Sequence, residues 1–126
     1  MGGVIRLSGL AAVYDRVDRA GDVIRPGAFG RAMRVPLLRQ HRGAPVGEIL
    51  SIGEEAGGLR VEARVDEAEA ARLVACGALP GLSVGYRARV VRQGARREIV
   101  RADLVEVSLV AVPMQPAARV ERVERI

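Results

Sequence analysis

Alternation of apolar and charged residues with a period of two is the feature of this sequence that most limits its fold. The clearest case is residues 59–65, Leu-Arg-Val-Glu-Ala-Arg-Val, in which every second residue is apolar and the residues between them are charged. Because successive side chains of a β-strand point to opposite faces, this pattern predicts a strand with one buried and one solvated face. Less regular alternation predicts further strands at 4–14, 36–41, 46–52, 82–91, 97–101 and 104–112. About seven strands in so short a chain indicate a barrel or a sandwich.

Two helices are expected between these strands. The better one should begin at Asp66, whose side chain can accept hydrogen bonds from free backbone N–H groups, with Glu69 completing a capping box. Gly77 then supplies a left-handed stop. A shorter helix is expected around residues 28–33, and residues 15–27 before it are rich in turn-forming residues and are predicted to be a loop.

The length of 126 residues predicts a single domain, 1–126, that can bury about two thirds of the surface of the unfolded chain. Residues 120–126 alternate like a strand but follow Pro113 and Pro116, so we expect a peripheral tail over residues 117–126. Cys76 is the only cysteine and is predicted to be a buried small apolar residue. We expect no cofactor and no metal, because one histidine and one cysteine cannot form a usual zinc site and no phosphate-binding loop is present.

The charge pattern argues against a nucleic-acid partner. The formal net charge is +5, and arginine supplies all 20 positions counted as lysine or arginine, yet most of them alternate with Asp and Glu. Such alternation is typical of a solvated strand face, and three aromatic residues are too few for a base-stacking platform. No apolar run is long enough to span a bilayer, and no signal peptide is recognisable, so we expect a soluble, cytoplasmic protein.

Ser83 is the first of three residues that could perform catalysis. Alternation places it on the opposite face of its strand from Leu82 and Val84, so its hydroxyl should face away from the apolar side. Gly81 and Gly85 flank it. The two glycines allow either close packing of another segment or the approach of a peptide to the hydroxyl.

His41 is the only histidine and is predicted to end the strand at 36–41, just before a loop at 42–45. A serine hydroxyl is a weak nucleophile unless a base takes its proton, and histidine suits that role because its ordinary pKa of ~6.5 lies near physiological pH. A lone histidine at a strand end is more often a surface residue, or one whose hydrogen bonds are satisfied within the fold, than a catalytic base.

Glu106 lies in the largely apolar run 104–110, where a carboxylate needs a partner. An arginine such as Arg87 or Arg101 could pair with it. The alternative partner is the second ring nitrogen of a histidine, which the carboxylate would orient as in a catalytic triad. The sequence leaves both alternatives open.

Four segments, in order along nearly the whole chain, resemble the phage prohead protease family, the capsid-maturation serine peptidases distantly related to herpesvirus assemblin. They are residues 21–29, 36–41 with 45–47, 77–86, and 103–113 with Pro116. The resemblance implies an assemblin-like fold, an antiparallel β-barrel of about seven strands with two or more flanking helices. The sequence departs from the family's pattern at two places. Members often have an aromatic residue at the position of Gln40 or just before it, and another at the position of Val105, and this difference bears on substrate specificity.

The resemblance also implies a serine endopeptidase in which Ser83 is the nucleophile, His41 its general base and Glu106 the third member. Family members cut the scaffold segment from the major capsid protein, and often themselves, inside the assembling procapsid of a phage or a phage-like particle such as a gene transfer agent. Portal and other procapsid components and a second copy of the chain are further partners that the resemblance implies. Neither a membrane nor a specific nucleic acid is expected as a partner. The oxyanion donors would be backbone N–H groups or an arginine such as Arg87 or Arg101. The alternatives are an inactive capsid assembly factor and a basic nucleic-acid-binding barrel.

Overall fold

Eight strands form one mixed sheet in the computed structural model, which describes residues 3–126. The strands are β1 (Ile5–Val13), β2 (Asp22–Ile24), β3 (Leu37–Arg39), β4 (Arg42–Glu54), β5 (Gly58–Val65), β6 (Gly81–Gln93), β7 (Arg97–Val110) and β8 (Val120–Arg125). Helix α1 (Ala68–Ala75) lies between β5 and β6. The mainly β prediction is therefore confirmed.

The strand order is β2-β7-β3-β4-β5-β1-β8, and β6 pairs with β7 outside this path. Strands β2 and β3 run parallel to β7, while the remaining pairs are antiparallel. The prediction of an antiparallel barrel was wrong, because the sheet of the described residues is open and contains parallel as well as antiparallel pairs. Parallel pairing requires long connections, and β2 and β3 reach β7 through such connections rather than through hairpins.

Strand β7 explains why two of the predicted strands are one. The segments expected at 97–101 and 104–112 are continuous, because β6 pairs with β7 along almost its full length, from Gly81 opposite Val110 to Gln93 opposite Arg97. Three register shifts interrupt this ladder. The long β6–β7 pair carries both Ser83 and Glu106.

Only one helix is present in residues 3–126, so the prediction of two or more helices was wrong. Residues 26–29 form a turn, and Gly27 and Gly30 adopt positive φ angles of 81° and 58° that a right-handed helix cannot continue through. Helix α1 also begins one residue later than expected: the N-cap is Glu67, whose carboxylate accepts from the backbone N–H of Glu69 and Ala70. The left-handed stop at Gly77, with φ 84°, is confirmed.

The structure differs from two further predictions, one about Cys76 and one about the C-terminal segment. Cys76 is exposed at the C-terminal end of α1, not buried. The segment expected as a tail contains β8, which pairs with β1 at the edge of the sheet. No helix within residues 3–126 has the length and apolar character needed to cross a membrane.

The buried side chains form two clusters, and the long strands β6 and β7 contribute to both of them. Leu82 and Val107 belong to the first cluster, which helix α1 covers through residues including Ala71. Ile99 and Ala102 belong to the second cluster. Both ends of the β6–β7 pair are thereby anchored in buried apolar clusters.

Candidate active site

His41 occupies a two-residue turn rather than a strand end followed by a loop. Arg39 pairs with Arg42 across the β3–β4 hairpin, and Gln40 and His41 form its tip. Both tip residues have positive φ, 53° and 61°, the combination found in type I′ hairpin turns. Asn-Gly normally fills such turns, so two larger residues here carry backbone strain.

Hydrogen bonds from β7 and the residue after it hold this strained turn in place. The Gln40 N–H donates to the Leu109 carbonyl at 2.9 Å, and the Ala111 N–H donates to the Gln40 side-chain oxygen at 3.1 Å. The His41 N–H donates to the Ser108 hydroxyl at 3.0 Å. A strained conformation persists only where its surroundings determine it in this way, and such residues cluster at functional sites.

Glu106 contacts His41. Its Oε2 lies 2.6 Å from His41 Nδ1, and its Oε1 accepts a hydrogen bond of 2.7 Å from the Ser108 hydroxyl. The carboxylate is 9% exposed, and none of its ion pairs among the described residues involves an arginine. The histidine alternative for the Glu106 partner is therefore the one observed, and Arg87 and Arg101 are not its partners.

Gly85 makes room for the Glu106 carboxylate. The two residues are opposite each other in the β6–β7 ladder, and a Cβ on Gly85 would lie 2.9 Å from Glu106 Cδ and closer still to Oε2. A Cβ on Gly81 would similarly lie 2.8 Å from Pro113 Cδ. The space on the Cβ side of each glycine is thus filled by the chain itself, which is the close-packing alternative that the sequence left open. Gly85 also lines one of the cavities at Ser83.

Ser83 lies opposite Ser108 on β6 and is 6% exposed. Two cavities meet at this residue, and His41 lines both of them. The first, which we call the Asp18 cavity, has a volume of about 210 Å³ and is lined by Ala11, Asp18, Ala20, Asp22, Ile24, His41, Leu82, Ser83, Val84, Gly85, Tyr86, Met114 and Gln115. The second, the Arg42 cavity, has a volume of about 500 Å³ and is lined by Arg19, Ala20, Gln40, His41, Arg42, Ser83, Val110, Val112 and Met114.

The structure brings the three predicted site residues into one region and adds others that sequence reasoning missed. Ser108 is completely buried and bridges His41 and Glu106. Its position two residues after Glu106, on the same face of a strand, was the available signal. Arg19 and Arg42 line a cavity at Ser83, whereas Arg87 and Arg101, the arginines expected near the oxyanion, line neither cavity.

The arrangement can perform proton transfer. Because Nδ1 of His41 faces a carboxylate, Nε2 is the ring nitrogen left to act towards the cavities that Ser83 shares. A carboxylate on Nδ1 holds the ring and stabilises it when it is protonated. In residues 3–126 no three His, Cys, Asp or Glu side chains are grouped so as to hold a metal ion.

Herpesvirus proteases have a similar fold. The varicella-zoster virus protease superimposes with a TM-score of 0.64 at 18% identity, over 96% of this chain and 64% of that protein. The KSHV protease, in a structure with a hexapeptide phosphonate inhibitor, gives a TM-score of 0.67 at 14% identity, over 97% of this chain and 65% of that protein. The chain thus spans less than two thirds of the length of these proteins, and at such identities the likeness shows the fold alone.

Sequence comparison identifies the family. Among curated proteins none matches the sequence significantly. The model of a protein family described as caudovirus prohead serine protease, however, matches residues 2–126. Since that match extends over nearly the whole sequence, the chain belongs to the caudovirus prohead serine protease family.

Proposed function

We propose that this chain is a serine endopeptidase in which Ser83 is the nucleophile, His41 the general base and Glu106 the residue that orients the imidazole. The observation that carries the proposal is the 2.6 Å contact between Glu106 and His41, in a turn whose histidine shares two cavities with Ser83. A nucleophile, a base and a group that orients the base are the components of acyl transfer.

The reaction begins when the Ser83 hydroxyl attacks the carbonyl carbon of a peptide bond. His41 Nε2 takes the hydroxyl proton and then gives it to the leaving amine, so that the C–N bond breaks and an acyl-enzyme remains. Water attacks the ester by the reverse proton route and releases the second product. Glu106 stays ionised and stabilises the imidazolium in both halves of the reaction.

The tetrahedral intermediates carry a negative oxygen that needs donors. Arg19 and Arg42 line the Arg42 cavity beside Ser83, whereas Arg87 and Arg101 line neither cavity at that residue. Arg19 donates its Nε–H to the Pro113 carbonyl at 3.0 Å, which leaves its terminal N–H groups for other acceptors. Backbone N–H groups around the site are the other source of donors.

The substrate we propose is the scaffold segment of the major capsid protein, cut inside the procapsid before DNA enters, with the protease itself as a second substrate. Membership of the prohead protease family supports this proposal. Portal and other procapsid components would be neighbours of the enzyme at that stage, and a homodimer is compatible with it.

Co-expression tests the proposal directly. The chain and its Ser83→Ala form are each produced with the major capsid protein of the same particle, and mass spectrometry determines the capsid N-terminus. We expect shortening with the wild-type chain only, since loss of the nucleophile should lower turnover by roughly four to six orders of magnitude. An unshortened capsid protein in both cases would support an inactive assembly factor, and equal shortening in both would exclude Ser83 as the nucleophile.

A further inference from the structure

The Asp18 cavity is lined by both Ser83 and His41, so in the proposed reaction it adjoins the peptide bond that is cleaved. Its lining is mostly apolar and includes Leu82, Val84 and Ile24. A pocket of this kind accepts an aliphatic stem, and the few polar groups in its lining determine which side chain is selected. Two carboxylates, Asp18 and Asp22, belong to the lining.

Asp18 is the carboxylate whose charge is not balanced. It is 8% exposed, and its Oδ1 accepts hydrogen bonds from the backbone N–H of Ala20 and Asp22, at 2.8 and 2.9 Å. Within residues 3–126, no ion pair and no hydrogen bond engages its Oδ2. The residue is largely buried, but Oδ2 is not an enclosed atom, because the Tyr14 hydroxyl is the only enclosed side-chain atom without a partner among the described residues. An accessible carboxylate oxygen in the lining of a cavity can accept a hydrogen bond from a donor outside the chain.

The other charges around the cavity do not neutralise Asp18. Asp22 is already paired with Arg97, whose Nη1 lies 2.8 Å from Asp22 Oδ2. Arg19 follows Asp18 in sequence but donates to the Pro113 carbonyl and lines the Arg42 cavity instead. His41, which also belongs to this lining, is paired with Glu106, so among the described residues no cation forms an ion pair with Asp18.

Tyr86 also lines the Asp18 cavity, and its pKa is affected by the charges of Asp18 and Asp22. Burial first, and then the negative fields of Asp22 and Asp18, raise the pKa of Tyr86 above its ordinary value, while Arg97 opposes them. A phenol that feels both carboxylates lies in the same electrostatic environment as the cavity interior.

We propose that the Asp18 cavity is the specificity pocket for a basic side chain, lysine or arginine, on a residue next to the cleaved bond. The aliphatic stem would lie against the apolar walls, and the cationic end would donate to Asp18 Oδ2. This inference rests on the proposed peptidase function, because the pocket lies beside the proposed nucleophile.

Asp18→Asn is the informative variant. The amide keeps an oxygen for the Ala20 and Asp22 N–H groups, so the loop is retained, and it replaces only the free oxygen with an NH₂ group. Asp15→Asn is the matched control, because Asp15 is exposed, pairs with Arg25 and lines a different cavity.

The first measurement does not depend on catalysis. Benzamidine, a flat cation, and its neutral counterpart benzamide are titrated into the wild-type chain and both variants, and binding is followed by NMR at cavity residues such as Tyr86. We expect benzamidine to bind about tenfold more tightly than benzamide to the wild type and to Asp15→Asn, and this preference to vanish in Asp18→Asn. Equal binding of the two ligands to the wild type would overturn the inference.

The second measurement uses a proteome-derived peptide library, with cut sites read by mass spectrometry and checked on matched peptides that carry lysine or norleucine. We expect about a tenfold or greater preference in kcat/KM for lysine over norleucine, reduced to near unity in Asp18→Asn. Cleavage without that preference would overturn the inference and leave the proposed function intact. Absence of any cleavage by the wild type would instead contradict the proposed function, and the ligand comparison would then decide the nature of the cavity.

Discussion

His41 Nδ1 and Glu106 Oε2 lie 2.6 Å apart although the two residues are 65 positions apart in sequence. The contact follows from the parallel pairing of β3 with β7, in which Leu38 lies opposite Ser108. This pairing places the two residues that follow β3, Gln40 and His41 of the strained turn, beside the Glu106 carboxylate. The site therefore depends on the register of one short strand.

Glu106→Gln should lower kcat by about 10²- to 10⁴-fold. The amide can still accept from Ser108, but its NH₂ group then faces His41 Nδ1 and favours the tautomer that has its proton on Nε2, which cannot take the Ser83 proton. Peptide-cleavage kinetics measure the effect. Glu48→Gln is the control, because Glu48 pairs with Arg64 on an exposed surface and should leave kcat unchanged. Full activity in Glu106→Gln would exclude an orienting role.

Gly85→Ala should reduce activity at least tenfold, because its Cβ would occupy the space of the Glu106 carboxylate and push it away from His41. A Cβ on Gly53, in contrast, meets no atom within 4 Å, so Gly53→Ala should retain activity. Cleavage assays and thermal melts of the two proteins separate the catalytic effect from unfolding. Wild-type activity in Gly85→Ala would show that the carboxylate tolerates displacement.

Ser108→Ala should lower kcat by about tenfold or more with little change in KM, because Ser108 positions His41 and Glu106 without facing the cavities. The loss of a buried group with two hydrogen bonds should also lower the free energy of unfolding by about 1–3 kcal/mol. Ser51→Ala, on the exposed side of β4, should change neither quantity. A rise in KM with normal kcat would assign Ser108 to substrate binding instead.

Gly77→Ala should lower the free energy of unfolding by about 1 kcal/mol, because φ at this helix stop is 84°. Gly57→Ala is the control, since a Cβ meets no atom within 4 Å at either glycine and only Gly77 of the two has a positive φ. Urea denaturation measures both changes. Equal stability of the two variants would mean that the chain adjusts after α1 without cost.

Cys76 should react with a maleimide in the folded protein, because its side chain is exposed. Mass spectrometry would show complete labelling without denaturant. We expect catalytic activity to be retained after labelling, since Cys76 lines neither of the cavities at Ser83. Labelling only in urea would indicate that the thiol is buried after all.

Short sequence patterns were sufficient to predict those elements that depend only on neighbouring residues. Alternation in residues 59–65 predicted β5, and Gly77 predicted the end of α1, because strand faces and left-handed stops follow from neighbouring residues. The cap of α1 was displaced from Asp66 to Glu67 because the N–H groups of both residues bond to the Val46 carbonyl of another strand. No local pattern contains that information.

The sequence by itself determined the strand-rich fold class and singled out Ser83, His41 and Glu106 as candidate residues for acyl transfer, because hydropathy periodicity and residue chemistry are local properties. Only the tertiary structure decided that the sheet is open and mixed, that Glu106 pairs with His41 rather than with an arginine, and that Gly85 accommodates the carboxylate. Those outcomes depend on which distant strands pair and in which register. Register is set by the burial of many residues at once, so no single segment specifies it.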